Sequence, residues 1–181
     1  LNPFKYYSKK YKERDLNSKQ LAKMMNLWPP SIANRIKVVD ISENFMKAKM
    51  IIKQSWLNSA FDKIMFGGTT YSGMDMYYGM ALPLVLSQHG IEAYVFTKEA
   101  NIKYVKAVKT DLTITFELTT EDIQAYVKGI NENNKHEEWL TVKGYNEGGE
   151  LCAETKLLTY VRNWPRSKAV SYTHLTLPTM S

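Results

Sequence analysis

The sequence predicts an α+β domain in which an antiparallel β-sheet wraps around one long central helix, with an extra helix on the N-terminal side. Three observations predict it. The 28 residues from Ile64 to Ile91 hold a single charged side chain, Asp75, and run from the Gly67-Gly68 pair to Gly90, so they read as a buried helix. Two strand-like segments precede this helix and two follow it, rich in β-branched and aromatic residues. An amphipathic helix and a last alternating pair complete the order.

The totals fit one domain. At 181 residues a chain can bury about two-thirds of its unfolded surface. A composition of 44% hydrophobic, 12% aromatic and 23% charged residues is that of a folded chain and not a disordered one. The single cysteine, Cys152, excludes an intrachain disulfide and any multi-cysteine metal site, and reads as a small core residue. The first residues interleave lysines with aromatics and form no apolar signal core, so a cytoplasmic location is expected. The run Ile64–Ile91 is long enough to cross a bilayer, but its glycines, threonines and serines make it a buried helix of a soluble protein, with no membrane insertion. The net charge is +6; residues 1–15 carry five cations against Glu13 and Asp15, and the rest is dispersed, which does not point to nucleic acid.

In order along the chain, residues 1–15 read as a basic N-terminal arm or solvated helix face. Leu16–Asn26 has a cap at Asn17 or Ser18 and apolar Leu21, Met24, Met25 and Trp28 at helical spacing; Pro29 and Pro30 stop it. Arg35–Ile41 and Phe45–Gln54 read as a hairpin across the turn Ser42-Glu43-Asn44. The central helix is expected over Gly68–Gln88, bent toward its C-terminal end by Pro83. Ala93–Val105 and Thr110–Leu118 are the next strands. Thr119 or Thr120 caps a surface helix with Ile123, Tyr126, Val127 and Ile130 on one face. Glu137–Tyr145 and Leu151–Tyr160 alternate and are joined by a Gly-Gly turn. From Val170 the chain is uncharged and resembles a translated sequencing adapter, so the domain is placed at 16–168, residues 169–181 are set apart, and His174 is not a catalytic candidate.

The chemistry centres on Asp75, since a buried carboxylate needs a partner or a cleft. At 100° per residue Gly68, Tyr71 and Asp75 share a helix face, with Asp75 about two turns from the start. A helix N-terminus offers unpaired N–H groups, and glycines let a substrate approach them. Amides of Gly67, Gly68 or Thr69 polarising a carbonyl while Asp75 attacks it or activates water would make an acyl-transfer site. A structural, hydrogen-bonded Asp75 is the competing reading. Met74, Met76, Tyr77, Tyr78 and Met80 read as packing; Tyr71, Tyr77 and Tyr78 together would suit an aryl or medium acyl group.

A long helix between strand pairs, opened by Gly67-Gly68 with Asp75 seven residues after the second Gly, resembles the hot-dog fold acyl-CoA thioesterases. The phenylacetate-pathway type has His where Phe66 stands. A poorly characterised subfamily with similar FGG…D helices is nearer, sharing the NLWPP stretch at Asn26–Pro30, WLN at Trp56–Asn58 and the strand Lys98–Val108. The resemblance implies a hot-dog fold, Asp75 as the catalytic carboxylate, Gly67 as the oxyanion donor with Gly68 and Thr69 completing its turn, and Asn58 and Tyr71 as substrate contacts. It implies an acyl-CoA substrate, with coenzyme A as part of that substrate and no separate cofactor. Lys103 and Lys106 are placed near its phosphates. It also implies a homodimer or a dimer of dimers, with the active-site cleft at the subunit interface. Phe66 favours the alternative of a non-catalytic acyl-CoA binding protein. A hydratase is last, because Met80 stands where its His would be.

Overall fold

The computed structural model describes residues 3–60 and 62–164; the segment 169–181 and His174 lie outside the described residues. Six strands, β1 (Ile36–Ile41), β2 (Lys47–Ile52), β3 (Ala93–Tyr104), β4 (Leu112–Glu117), β5 (Lys135–Tyr145) and β6 (Leu151–Asn163), form one sheet in the order β1-β2-β4-β5-β6-β3. Every neighbouring pair is antiparallel. The helices are α1 (Pro3–Lys12), α2 (Ser18–Leu27), α3 (Pro29–Ala33), α4 (Gly67–Asp75), α5 (Tyr78–Gln88) and α6 (Thr120–Asn133).

Local chemistry explains most of these boundaries. α2 starts in a capping box: the Asn17 side chain accepts from Gln20 N–H at 2.9 Å and the Gln20 side chain accepts from Asn17 N–H at 3.1 Å. α6 has the same device at Thr119 and Asp122 and closes on Asn134, whose left-handed φ of 58° lets its N–H reach the Ile130 carbonyl. The prolines that stop α2 also open the short α3, since a proline at the first helical position lacks only an N–H that would be unpaired anyway.

The central helix departs from expectation. It is two helices, interrupted at Met76 and Tyr77, with Pro83 inside the second, and not one continuous helix. Pro83 supplies no N–H to the Gly79 carbonyl four residues back and its ring crowds that carbonyl, so its disturbance falls in the first turn of the second helix and not at the interruption itself. The Tyr11 hydroxyl donates to the carbonyls of Gly79 (3.5 Å) and Met80 (3.2 Å), in the region that Pro83 leaves underbonded. This gives the basic N-terminal segment a structural attachment. Its helix α1 packs Phe4, Tyr7 and Tyr11 against the core, and Arg14 donates to the Ala93 carbonyl, while the lysines Lys5, Lys9 and Lys12 stay exposed.

The sheet curls around α4 and α5. Met74, Tyr77, Tyr78, Leu82, Leu84 and Leu86 are buried against Met50, Ile52, Ile114, Phe116 and Val142. Burial contributes about 1.5–3 kcal/mol for each large apolar side chain. A β-carbon at Gly73 would lie 2.6 Å from Ile52 Cδ1 and 2.9 Å from Ile114 Cδ1, so the missing side chain is what lets α4 lie close on β2 and β4. Among the described residues no helix is long and apolar enough to cross a membrane.

Candidate functional site

The first turn of α4 is held from outside and left uncapped at its tip. Phe66 occupies the cap position with extended backbone and offers no side-chain acceptor; its carbonyl takes the first helical bond, from Thr70 N–H at 3.1 Å. The amides of Gly67, Gly68 and Thr69 therefore precede the first intrahelical bond. The loop before the turn is fixed by Met65 N–H to the Val108 carbonyl and Phe66 N–H to the Asn58 carbonyl, each 2.8 Å. From β3, the Tyr104 hydroxyl donates to the Gly67 carbonyl at 2.9 Å.

Asn58 and Thr69 sit behind this turn. Asn58 is buried; its side-chain oxygen accepts from Ser55 N–H at 2.9 Å and its amide donates to the carbonyls of Lys53 (2.9 Å) and Asn34 (3.3 Å). Thr69, also buried, donates to the Asn34 side chain at 3.1 Å. Both polar groups are thus engaged with the loop from α3 to β1 and with the 3₁₀ turn Trp56–Asn58, and they position the backbone of the site.

Asp75 ends α4 and is half-buried. The hydroxyl of Thr97 on β3 donates to its Oδ1 at 2.6 Å. Just past Thr97 the pairing of β3 with β6 slips by one residue, a bulge that changes which side chains face the helix. Nothing in the sequence marks Thr97: it is one of several hydroxyls in an alternating strand, and its partner lies 22 residues away. Tyr71 stands half-buried between the two ends. Burial, then the charge of Asp75 and the proximity of Tyr104, push its hydroxyl pKa up.

Tyr77 and Tyr78 do not line this region. Both are buried, with hydroxyls donated to the carbonyls of Phe45 (2.8 Å) and Glu117 (3.0 Å), and burial pushes the Tyr78 hydroxyl up to about 12. Aromatic cover comes instead from Phe66 and Tyr104, 61% and 53% exposed. A β-carbon on Gly68 would run into the Phe66 ring, and one on Gly67 would lie 3.0 Å from the Tyr104 hydroxyl oxygen. Beside Gly67 runs a groove of about 290 Å³ lined by Met65, Thr70, Tyr104, Val105, Lys106 and Val108. Lys106 is ion-paired with Glu150. Lys103 faces away, in a groove on the outer side of the sheet with Glu99, Asn101, Trp139 and Lys156. A further groove of about 310 Å³, lined by Met46, Val85, His89 and Val127 among others, lies at the far end of α5.

The two polar ends of α4 are not brought together within one chain. Gly67 and Asp75 are eight residues apart, which is about 12 Å of helix rise. A reacting carbonyl has to sit about 3 Å from both its oxyanion donors and its attacking group. Sharing a helix face is therefore not sufficient for the amides and the carboxylate of one chain to meet on one carbonyl.

No curated protein matches the chain. Among solved structures, a Pseudomonas aeruginosa protein of unknown function, described as a probable thioesterase, superposes with a TM-score of 0.71 at 18% identity, covering 81% of this chain and 95% of its own. A thioesterase from Haemophilus influenzae gives 0.60 at 13% identity, over 82% and 92%. Zebrafish thioesterase superfamily member 2 gives 0.57 at 17% identity, over 82% and 98%. At these identities the likeness shows the fold alone, the hot-dog fold. The family model of a domain of unknown function, DUF4442, matches residues 17–161, and the chain belongs to that family.

Proposed function

We propose that this protein hydrolyses an acyl thioester of coenzyme A. The supporting observation is a single short helix with free glycine amides at one end and, at the other, a carboxylate oriented by a threonine hydroxyl. Asp75 takes a proton from water, the resulting hydroxide bonds to the thioester carbon, and the carbonyl oxygen becomes an oxyanion accepted by the amides of Gly67 and its neighbours. The carbon–sulfur bond then breaks and the thiolate of coenzyme A leaves. Thr97 occupies one oxygen of Asp75, so the other is the one that meets water.

The separation along α4 adds a requirement. The amides of one copy have to face Asp75 of a second, which makes the working unit a homodimer with two shared sites. Purified protein given a panel of acyl-CoAs, with released thiol followed, is expected to turn over at least one of them, and Asp75→Asn to abolish that turnover. No hydrolysis of any, or an Asp75→Asn variant as fast as the wild type, contradicts the proposal. The Phe66 ring packed over Gly68 favours a second reading, an acyl-CoA binding protein without turnover. Under that reading ligand would raise Tm while releasing no thiol.

A further inference from the structure

Glycines at a substrate-facing helix start are ordinarily read as empty space for ligand. Here each of the two has a ring beside it. Phe66 lies where a Gly68 side chain would be, and the Tyr104 ring lies over Gly67 with Cζ 3.1 Å and Cε1 3.4 Å from the position of a β-carbon. The rings belong to different elements, the loop before α4 and the end of β3. They are also anchored differently. The Tyr104 hydroxyl is tied to the Gly67 carbonyl at 2.9 Å, which fixes that ring on the turn. Phe66 is an exposed apolar side chain held through its backbone N–H.

We infer that Phe66 and Tyr104 determine substrate specificity by walling the amides of Gly67 and Gly68. They admit thioesters whose carbon next to the carbonyl is planar, such as aroyl or 2-enoyl groups, and exclude those branched at that carbon. The inference rests on the thioesterase reading above. A carbonyl that reaches these amides brings its neighbouring carbon in alongside both ring positions. A flat conjugated group can lie against an aromatic face, where stacking is favourable. A tetrahedral branched carbon needs width on both sides, and Tyr104 cannot yield it without breaking its hydrogen bond.

The test compares benzoyl-CoA with isobutyryl-CoA on the wild type and on Phe66→Ala, a change at an exposed position. The wild type is expected to favour benzoyl-CoA in kcat/KM by about tenfold or more, and Phe66→Ala to reduce that ratio to within about threefold, mainly through KM. Tyr104→Phe, which keeps the ring but frees it from Gly67, is expected to fall between. A wild type that favours the branched substrate, or a ratio unchanged in Phe66→Ala, overturns the inference. Should the wild type turn over neither, the hydrolytic reading has failed and the walls are read by calorimetry with the ketone analogues phenacyl-CoA and 3-methyl-2-oxobutyl-CoA. Tighter binding of phenacyl-CoA that is lost in Phe66→Ala upholds them; equal affinities, or no binding of either, overturn them.

Discussion

Two helix starts in this chain are built on opposite plans. α6 begins with reciprocal hydrogen bonds that satisfy the amides of Thr119 and Asp122, whereas α4 begins at Phe66, with no side-chain acceptor, and continues through two glycines. By propensity alone the second plan is poor: glycine costs about 1 kcal/mol in a helix relative to alanine, and a missing cap costs about as much again. The surroundings hold α4 in place, through the loop bonds at Met65 and Phe66, the Tyr104 hydroxyl on Gly67 and the close packing of Gly73 on the sheet. A helix end that local chemistry leaves unsatisfied while the fold fixes it rigidly is available for a ligand. α6 is a structural helix by the same criterion.

Substitutions can break that contrast at several strengths. The largest effect is expected from Gly67→Pro, because proline at the first helical position is tolerated but carries no N–H. Turnover should fall by about 10²–10³-fold, as for loss of an oxyanion donor, with a smaller loss of Tm because the added β-carbon presses on the Tyr104 ring. Thr97→Val should lower kcat by about tenfold or more through misplacement of Asp75, with KM nearly unchanged, and Thr97→Ser should restore it. A matching loss in KM alone would count against a positioning role. Thr119→Ala at the start of α6 should do the reverse of Gly67→Pro, lowering stability by about 1 kcal/mol, or Tm by about 2–4 °C, and leaving turnover unchanged.

The smallest effect concerns the loop that carries the start of α4. Burial opposes the charge of Asp111, yet hydrogen bonds from Lys53 and from Gln54 N–H (2.9 Å) hold its pKa below the usual carboxylate range. The Gln54 side chain in turn donates to Ser59 and to the Lys63 carbonyl. A lowered folded-state pKa means that the stabilisation is present above the ordinary carboxylate pKa and is lost as pH falls through the folded value. For this partly exposed pair it should amount to about 1 kcal/mol or less. Denaturation followed across acid pH should show a shallower loss for Asp111→Asn than for the wild type.

The element order and the capped helices were legible because their causes are local: the boxes at Asn17 and Thr119, the prolines after Trp28, the turn before Leu151. Asp75 and the glycine pair were legible as an isolated charge and an isolated break in an apolar run. What the sequence hid depends on contacts through space. The interruption at Met76 and Tyr77 carries no proline or local break signal, and Tyr11 reaches the carbonyls of Gly79 and Met80 from α1, 68 residues away in the chain. Tyr77 and Tyr78 share the apolar run with Tyr71, and only the sheet decides which of them is covered. Thr97 reaches Asp75 from a bulged strand, and no spacing rule connects them. Asn58 looked like a loop residue poised for substrate, but every polar group of its side chain meets the loop around it.

The central claim is that the amides at Gly67 and the carboxylate at Asp75 act on one carbonyl from two copies of the chain. Co-expressing Gly67→Pro with Asp75→Asn, each inactive alone, tests it directly through the thiol released from the best acyl-CoA. Half of the dimers formed at random would be mixed, and each would have one intact site, so about a quarter of wild-type turnover should return. Co-expressed chains that remain as inactive as either variant alone would contradict the claim.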